Sequence, residues 1–434
     1  MTAAASARPP AASREWGPAI WAVVIAAAFA AANHLWATSV REDYSLTQAE
    51  MEATEAGGDW PRRAGFLALA AAGAGGLAVG TAGRWRPFGA GAAGLGLAAF
   101  FLWPAATVLW SDVPALTARR VAVLGLFALG ACGAAKALSA RGTVVAAVWA
   151  VGLQLAVGVA AELRFAAFAP WADDYRFSGT VHPNIQALQL AAAVCGCLAL
   201  ADPASPGGRR WLAAAGAFGT FLLLTKSRTA TAGCVFAVGV AGLNAAGRAT
   251  KLLAVAGGLA GAAGLALSVL LSGTDPRDDV RDAVLMGRLD QQDSLSGRLP
   301  IWEVVTPHIL DRPLLGYGYG GFWTGKRIDA VSDDIGWAIS AAHSAWFEAA
   351  LDGGLVGVAV LAAALFTAGL RAARAGGEGR VRPGPLPFFA LAVTLNLAAN
   401  TLTEAIINDV RLVPFVWTAA VLKLTWLPDR GENR

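Results

Sequence analysis

Thr143-Val-Val-Ala-Ala-Val-Trp-Ala-Val-Gly-Leu-Gln-Leu-Ala-Val-Gly-Val-Ala-Ala-Glu162 is a run of twenty residues whose one formal charge is the glutamate at its end. A hydrocarbon core of roughly 30 Å takes about 20 apolar residues in helical form, so the stretch predicts a membrane-spanning helix. Eleven further runs read the same way: 17–37, 64–82, 88–110, 119–138, 184–201, 210–226, 229–246, 250–271, 343–370, 386–405 and 411–427. Composition agrees. The chain is 56% hydrophobic and 15% charged, with a mean hydropathy of +0.52, whereas soluble domains carry about a quarter charged residues. The expected class is an all-α polytopic membrane protein of about 12 transmembrane helices.

One segment breaks the apolar rhythm. The chain therefore divides into helices one to nine in 1–272, a large polar loop with short surface helices in 273–342, and helices ten to twelve in 343–434. Arg8 and Arg14 before the apolar run Trp16–Ala37 imitate a secretory signal, but the run is long for one and eleven spans follow, so an uncleaved first helix is expected. Cys132, Cys195, Cys197 and Cys234 all fall inside apolar segments with no CxxC pair, and read as small packing residues. Small-residue steps such as Gly76-xxx-Gly80 and Gly257-xxx-Gly261 predict close helix packing.

Charge sets the orientation. With the N-terminus cytoplasmic, the inner connections carry Arg84/Arg86, Lys136/Arg141, Arg209/Arg210, Arg248/Lys251 and Arg371/Arg374/Arg380/Arg382. Counting the termini, 17 of the 34 Lys and Arg lie inside; of the outer 17, seven belong to the long loop, leaving 10 for comparison. Long loops translocate largely regardless of charge, so the positive-inside rule is satisfied. Of the 30 acids, 25 fall outside. This places the long loop, the 163–183 loop, the Lys226-Ser-Arg228 turn and the Glu404–Arg411 turn together on the extracytoplasmic face. Charges sit at helix ends, whereas a proton-coupled transporter carries some at the midplane, and no internal repeat is evident.

The long loop holds two stretches that do not serve to span a bilayer. In Ser296-Gly-Arg298-Leu-Pro-Ile-Trp302, followed by Val305 and Ile309, the apolar spacing predicts a short surface helix with Arg298 near its N-terminus. There a planar guanidinium, helix dipole and free backbone N–H groups suit phosphate oxygens; a solvated arginine beside an interfacial Trp302 is the plainer reading. Arg312-Pro-Leu-Leu-Gly-Tyr-Gly-Tyr-Gly-Gly-Phe-Trp323 formally contains GxGxxG, yet no strand precedes it and no βαβ unit surrounds it, so a dinucleotide site is not expected. Its glycines and aromatics suit either a loop packed on the bundle or an aromatic platform for sugar rings, with packing preferred.

His343 lies where the loop re-enters the membrane and is a candidate to accept a proton from a hydroxyl. Glu348 and Asp352-Gly-Gly354 follow on the same helix, which argues for a water-filled cavity there. Arg176-Phe-Ser-Gly-Thr-Val-His182-Pro-Asn184 and Thr225-Lys-Ser-Arg228-Thr add cations to the same edge; for Lys226 and Arg228 the plainer alternative is snorkelling. With no HxxH, HExxH or DxD pattern, no metal site is predicted.

Taken in order, Gly179…His182-Pro-Asn184, Ser227-Arg228-Thr229, Gly297-Arg298…Trp302, Arg312-Pro-Leu-Leu-Gly-Tyr-Gly…Phe322-Trp323 and His343-Ser…Glu348…Gly354-Leu-Val-Gly357 resemble the O-antigen ligase and Wzy-type polysaccharide polymerase superfamily, with blocks most like exopolysaccharide polymerases. The resemblance covers roughly residues 175–360. It implies a GT-C-like bundle in the bacterial inner membrane, with a site facing the periplasm, that transfers a glycan from undecaprenyl diphosphate to a sugar hydroxyl. The acceptor is lipid A-core for a ligase or growing polysaccharide for a polymerase; no cofactor, metal or nucleic acid is implied. Carried over, His343 and Arg298 are the catalytic residues of an inverting displacement, and Arg228, Lys226, Arg176 and His182 hold the diphosphate. Ser344 departs from the asparagine common after the family's histidine. A lipid-linked oligosaccharide flippase or exporter is the alternative from another class, and a non-catalytic envelope partner a third.

Overall fold

A computed structural model describes residues 17–32, 60–86, 91–173, 175–201, 206–247, 250–251, 253–254, 298–377, 384–407 and 410–429. The ninth predicted span, Gly257/Gly261 and the first part of the polar loop lie outside them. Among the described residues the chain forms thirteen helices and no strand. They are α1 (Pro18–Ala32), α2 (Trp60–Val79), α3 (Gly91–Thr107), α4 (Pro114–Ala137), α5 (Ala140–Arg164), α6 (Pro183–Leu200), α7 (Pro206–Leu224), α8 (Arg228–Ala245), α9 (Arg298–Asp311), α10 (Gly325–Ile335), α11 (Ala345–Gly377), α12 (Pro385–Asn400) and α13 (Leu412–Thr425). Four of these, α4, α5, α6 and α11, are long and apolar enough to cross a membrane; α1, α3, α12 and α13 are shorter apolar helices. The described residues are thus all-helical, with apolar helices that suit a membrane protein.

Local chemistry sets the boundaries. Prolines start α4, α6 and α12, where a missing N–H costs nothing because the first turn has no intrahelical acceptor. Ser139 caps α5 by accepting from the Gly142 N–H at 3.1 Å. The predicted short helix is α9, and Arg298 is the first of its described residues.

Glycine permits the tight packing. A Cβ on Gly133 would fall 2.1 Å from the Gly73 carbonyl, and one on Gly76 2.6 Å from the Gly133 carbonyl, so α2 and α4 touch backbone to backbone. Phe29, Phe66, Phe127 and Phe415 meet edge to face at 5.4–6.3 Å beside that contact. Every residue of α13 is buried, while Leu109, Val235 and Phe366 expose 70% or more of their surface, an inside-out pattern that suits lipid as the solvent. The four cysteines are free and three are buried, in keeping with packing.

Successive helices alternate, so connections collect at two ends. At one end Lys423 pairs with Asp429 at 2.7 Å and donates to the Ala135 carbonyl, Arg371 donates to the Leu424 carbonyl, and Arg84 N–H bonds Pro428. At the other end lie the 108–113 connection, the 165–173, 175–182 and 401–407 segments, the 225–227 turn and the whole of 298–344. There α11 is broken at Gly354 (φ 61°, ψ −158°), and the turn at 313–318 enters the break. Tyr317 and Gly318 N–H groups donate to the Leu351 and Asp352 carbonyls, and Leu355 N–H donates to Pro313. A Cβ on Gly354 would lie 2.2 Å from the Leu314 carbonyl, so only glycine fits.

Candidate functional site

The sequence scatters the candidate residues over more than 160 positions; the fold gathers them at this second end. Arg176 anchors the 175–182 segment, donating through Nε to the Thr225 carbonyl at 3.0 Å and through Nη2 to Asn184 Oδ1 at 2.9 Å. Asn184 Nδ2 then donates to Glu404 Oε1 at 2.7 Å. The same oxygen receives Arg298 Nη2 at 2.8 Å, an ion pair in which both side chains are 13% exposed. A chain of charge-assisted bonds thus runs from the α7–α8 turn to the first residue of α9, with Glu404 at its hub.

His182 sits within this chain as the N-cap of α6, its Nδ1 accepting from the Asn184 N–H at 3.3 Å. Burial pushes its pKa down to about 3, and the charges of Arg176, His343, Arg411 and Arg298 push in the same direction. Its surroundings thus disfavour the charged ring, and an Nδ1 that accepts a hydrogen bond leaves the ring proton to Nε2. His343, by contrast, is exposed and holds a left-handed φ of 49°, a conformation that costs a non-glycine residue energy and clusters at functional sites. Its neighbour Ser344 Oγ donates to the Thr401 carbonyl at 3.4 Å, and Ala345 N–H donates to the same oxygen at 2.9 Å. Those bonds hold the start of α11 against the Glu404 turn.

Arg228 opens α8 at this end and has no hydrogen-bond or ion-pair partner among the described residues. Lys226 also holds a positive φ, of 51°, and its ammonium is tied to the Asp173 carbonyl. It closes the turn against the preceding segment before any ligand is considered.

The aromatic-glycine turn is scaffold. Tyr317, Phe322 and Trp323 are buried. Arg312 and Arg327 lie 4.7 and 4.5 Å over the Tyr317 ring and both pair with Asp112 at 2.7 and 2.8 Å. Burial alone would raise the Asp112 pKa, but hydrogen bonds from Arg327 and Arg312 and their charges outweigh it and hold the carboxyl below its usual range. Trp302 stacks on Phe347 with centroids 5.0 Å apart and donates to the Ala342 carbonyl at 2.9 Å, fastening α9 beside His343. Tyr319 is the exception: half-buried, it lines a cavity.

That cavity, of about 520 Å³, opens beside the cluster. Arg62 and Arg63 from α2, Arg119 and Arg120 from α4, and Arg411 line it, facing Glu348 and Asp352 of α11. Sequence reasoning expected the cavity from the two acids but missed the arginines of α2 and α4. The available signal was an Arg-Arg pair near the outer start of each helix, which resembles ordinary edge charge.

Residues 213–362 match the family model described as O-antigen ligase; no curated protein matches the chain. The resemblance to the O-antigen ligase and Wzy-type polymerase superfamily stands on that segment, which holds Lys226, Arg228, Arg298 and His343. Over those residues the chain is similar to O-antigen ligases, and its long apolar helices are those of a membrane protein.

Proposed function

We propose that the protein is an inverting glycosyltransferase that moves a glycan from undecaprenyl diphosphate to a sugar hydroxyl on the extracytoplasmic face of the bacterial inner membrane, without a metal ion. The observation that carries this reading is the meeting of Arg176, Arg298, His343 and Arg411 around His182 at one end of the bundle, with Arg228 opening α8 at the same end. The reading takes twelve spans, with helices in 1–272 and 343–434 and the 273–342 segment outside.

A diphosphate is already a good leaving group, so the step needs charge stabilisation more than a strong acid. Arg228 and Arg298 neutralise the phosphate oxygens, Arg298 exchanging part of its bond to Glu404 for the ligand. Arg176 and Lys226 hold the turns that carry this clamp and add positive potential, and neutral His182 offers Nε2–H. The acceptor hydroxyl gives its proton to His343 as its oxygen attacks the anomeric carbon from the face opposite the phosphate. One C–O bond forms, the C–O bond to phosphate breaks, and the diphosphate leaves with the electron pair. The strained backbone at His343 fixes the base at the mouth of the re-entering helix.

Reconstitution into liposomes with an undecaprenyl-diphosphate oligosaccharide, free of nucleotide and added metal, tests this. Transfer to lipid A-core identifies a ligase, and transfer to a second lipid-linked repeat a polymerase. Loss of transfer in His343→Ala and Arg298→Ala, with normal expression, supports the assignment. Movement of donor across the bilayer with no new glycosidic bond overturns it in favour of a flippase.

A further inference from the structure

The turn that fills the break in α11 is bonded more completely than a loop in water needs to be. The carbonyls of Arg312, Pro313, Leu314 and Leu315 each accept from the protein: from the Gly316 N–H at 3.1 Å, the Leu355 N–H at 2.8 Å, the Val356 N–H at 3.5 Å and Trp110 Nε1 at 2.8 Å. The Tyr317 and Gly318 N–H groups are taken as well, by the Leu351 and Asp352 carbonyls. The side chains are uncovered all the same, with Leu310, Leu314 and Leu315 exposed by 70%, 63% and 44%. Water satisfies a spare carbonyl readily, whereas lipid offers no donor, so irregular backbone at membrane depth needs protein partners for its polar groups. Bare leucines on a saturated backbone match lipid as the solvent.

Two helices set the depth of this turn. Residues 353–370 of α11 carry no charge and lie between Asp352 and Arg371. At about 1.5 Å per residue that run covers roughly 27 Å, close to the roughly 30 Å of a hydrocarbon core. Gly354, against which Leu314 packs, therefore lies at the edge of the core on the side of His343. The α3 flank agrees. Leu95, Leu102 and Leu109 recur every seven residues and are 67%, 67% and 86% exposed, so a lipid-facing stripe runs up to the Trp110 bond with Leu315. The first charge beyond that stripe is Asp112, which pairs with Arg312 and Arg327.

We infer that Leu310, Leu314 and Leu315 form a wedge seated in the acyl-chain boundary of the leaflet on this side, with lipid acyl chains as its partner. The charges of Asp112, Asp311, Arg312 and Arg327 lie above it at headgroup level, Arg312 reaching there along its apolar stem. The 310–315 stretch, expected from the sequence to belong to a polar loop, is then a membrane contact. This needs only the membrane reading of the helices and holds whether or not the chain transfers glycans. Because α9 ends at the wedge and its Arg298 pairs with Glu404, that helix is held by an ion pair toward one end and by lipid at the other.

The test uses the full chain in liposomes, with a nitroxide on one introduced cysteine at a time after Cys132, Cys195, Cys197 and Cys234 are replaced by alanine. Leu314→Cys and Leu315→Cys are compared with Leu102→Cys on the lipid-facing stripe and with Asp333→Cys on the exposed surface of α10. Collision with oxygen, which concentrates in lipid, should exceed collision with a water-soluble nickel chelate at 314 and 315 as it does at 102, and the order should reverse at 333. Labels at 314 and 315 that behave like the one at 333 overturn the inference, because the turn then stands in water. Labels shielded from both reagents also overturn it, because another protein surface then covers the leucines. Should the alanine background fail to fold, a benzophenone amino acid at position 314 repeats the test in the chain with its native cysteines. Ultraviolet light should then add the mass of one phospholipid to the protein; such adducts from position 102 with none from 314 overturn the wedge.

Discussion

The two ends of the bundle both carry cations, and they use them differently. At the end built from 83–86, 135–140 and 423–429, Lys423 is only 1% exposed and its ammonium bonds Asp429 and the Ala135 carbonyl, while Arg371 holds the last turn of α13. These cations complete helix C-termini, where the dipole and the orphan carbonyls call for positive charge. At the opposite end, Arg228 opens α8, Arg298 of α9 pairs with Glu404, and Arg62 and Arg63 of α2 line the cavity of about 520 Å³. The same residue types therefore close helix C-termini at one end and gather about an ion-pair network and a cavity at the other. What separates them is whether the helix terminus itself satisfies the charge.

Four substitutions test this contrast. The largest effect is expected for Arg298→Ala, which should lower glycan transfer about 10²–10³-fold, the range for losing one charge-stabilising donor, with a thermal midpoint close to wild type. Near-normal transfer would remove Arg298 from the chemistry. Gly354→Ala is next and sharpens the comparison, since it acts at the ligand end for purely structural reasons. A Cβ there meets the Leu314 carbonyl at a positive φ, so folded yield on detergent gel filtration should collapse, in line with roughly 3 kcal/mol of strain and lost backbone bonding. Lys423→Met belongs to the other end. Leaving Asp429 without its cation should cost about 1–3 kcal/mol in thermal unfolding, less than a fully buried pair because Asp429 is partly hydrated, while donor KM is unchanged. A change in donor KM would break the distinction between the ends.

The smallest effect concerns pH. His182 has its pKa pushed down to about 3 from a model-peptide value of 6.5, so between those values the unfolded chain binds more protons than the folded one. Stability contributed by the neutral ring is complete above pH 6.5 and declines as pH falls toward 3. His182→Asn keeps a side chain able to cap α6 and should flatten that part of the acid limb in a thermal-midpoint series; an unaltered limb would mean that another group sets it.

Much of the fold was legible because membrane crossing is a local demand. The run Thr143–Glu162 had to be helical and long, and α5 is both. Arg298 was expected near the start of a short helix in the polar loop, and it lies in α9. The glycine-aromatic stretch was expected to pack on the bundle, and Gly316, Gly318 and Gly354, all with positive φ, show how. The site was legible only as separate parts. Glu404, which joins Asn184 to Arg298, lies 220 positions from Asn184 and 106 from Arg298, and no spacing or periodicity connects residues that meet only through tertiary packing. Asp352-Gly-Gly354 signalled polar tolerance inside a span, but two causes were superposed there: Asp352 lines the cavity, whereas Gly354 admits a turn from elsewhere in the chain. His182 was counted among the diphosphate cations, and nothing local to it shows that burial keeps it neutral.

The break at Gly354 also has a bearing on biosynthesis. The backbone groups it exposes are satisfied by residues 313–318, which leave the ribosome before α11 does, and the carboxylate that holds Arg298 comes from residue 404, synthesised after α11 and α12. Residues 298–342 must therefore wait, already synthesised, for the next helix to enter the bilayer and for the last connection to fold back over them. A nascent chain that stalls before residue 404 lacks the carboxylate that pairs with Arg298.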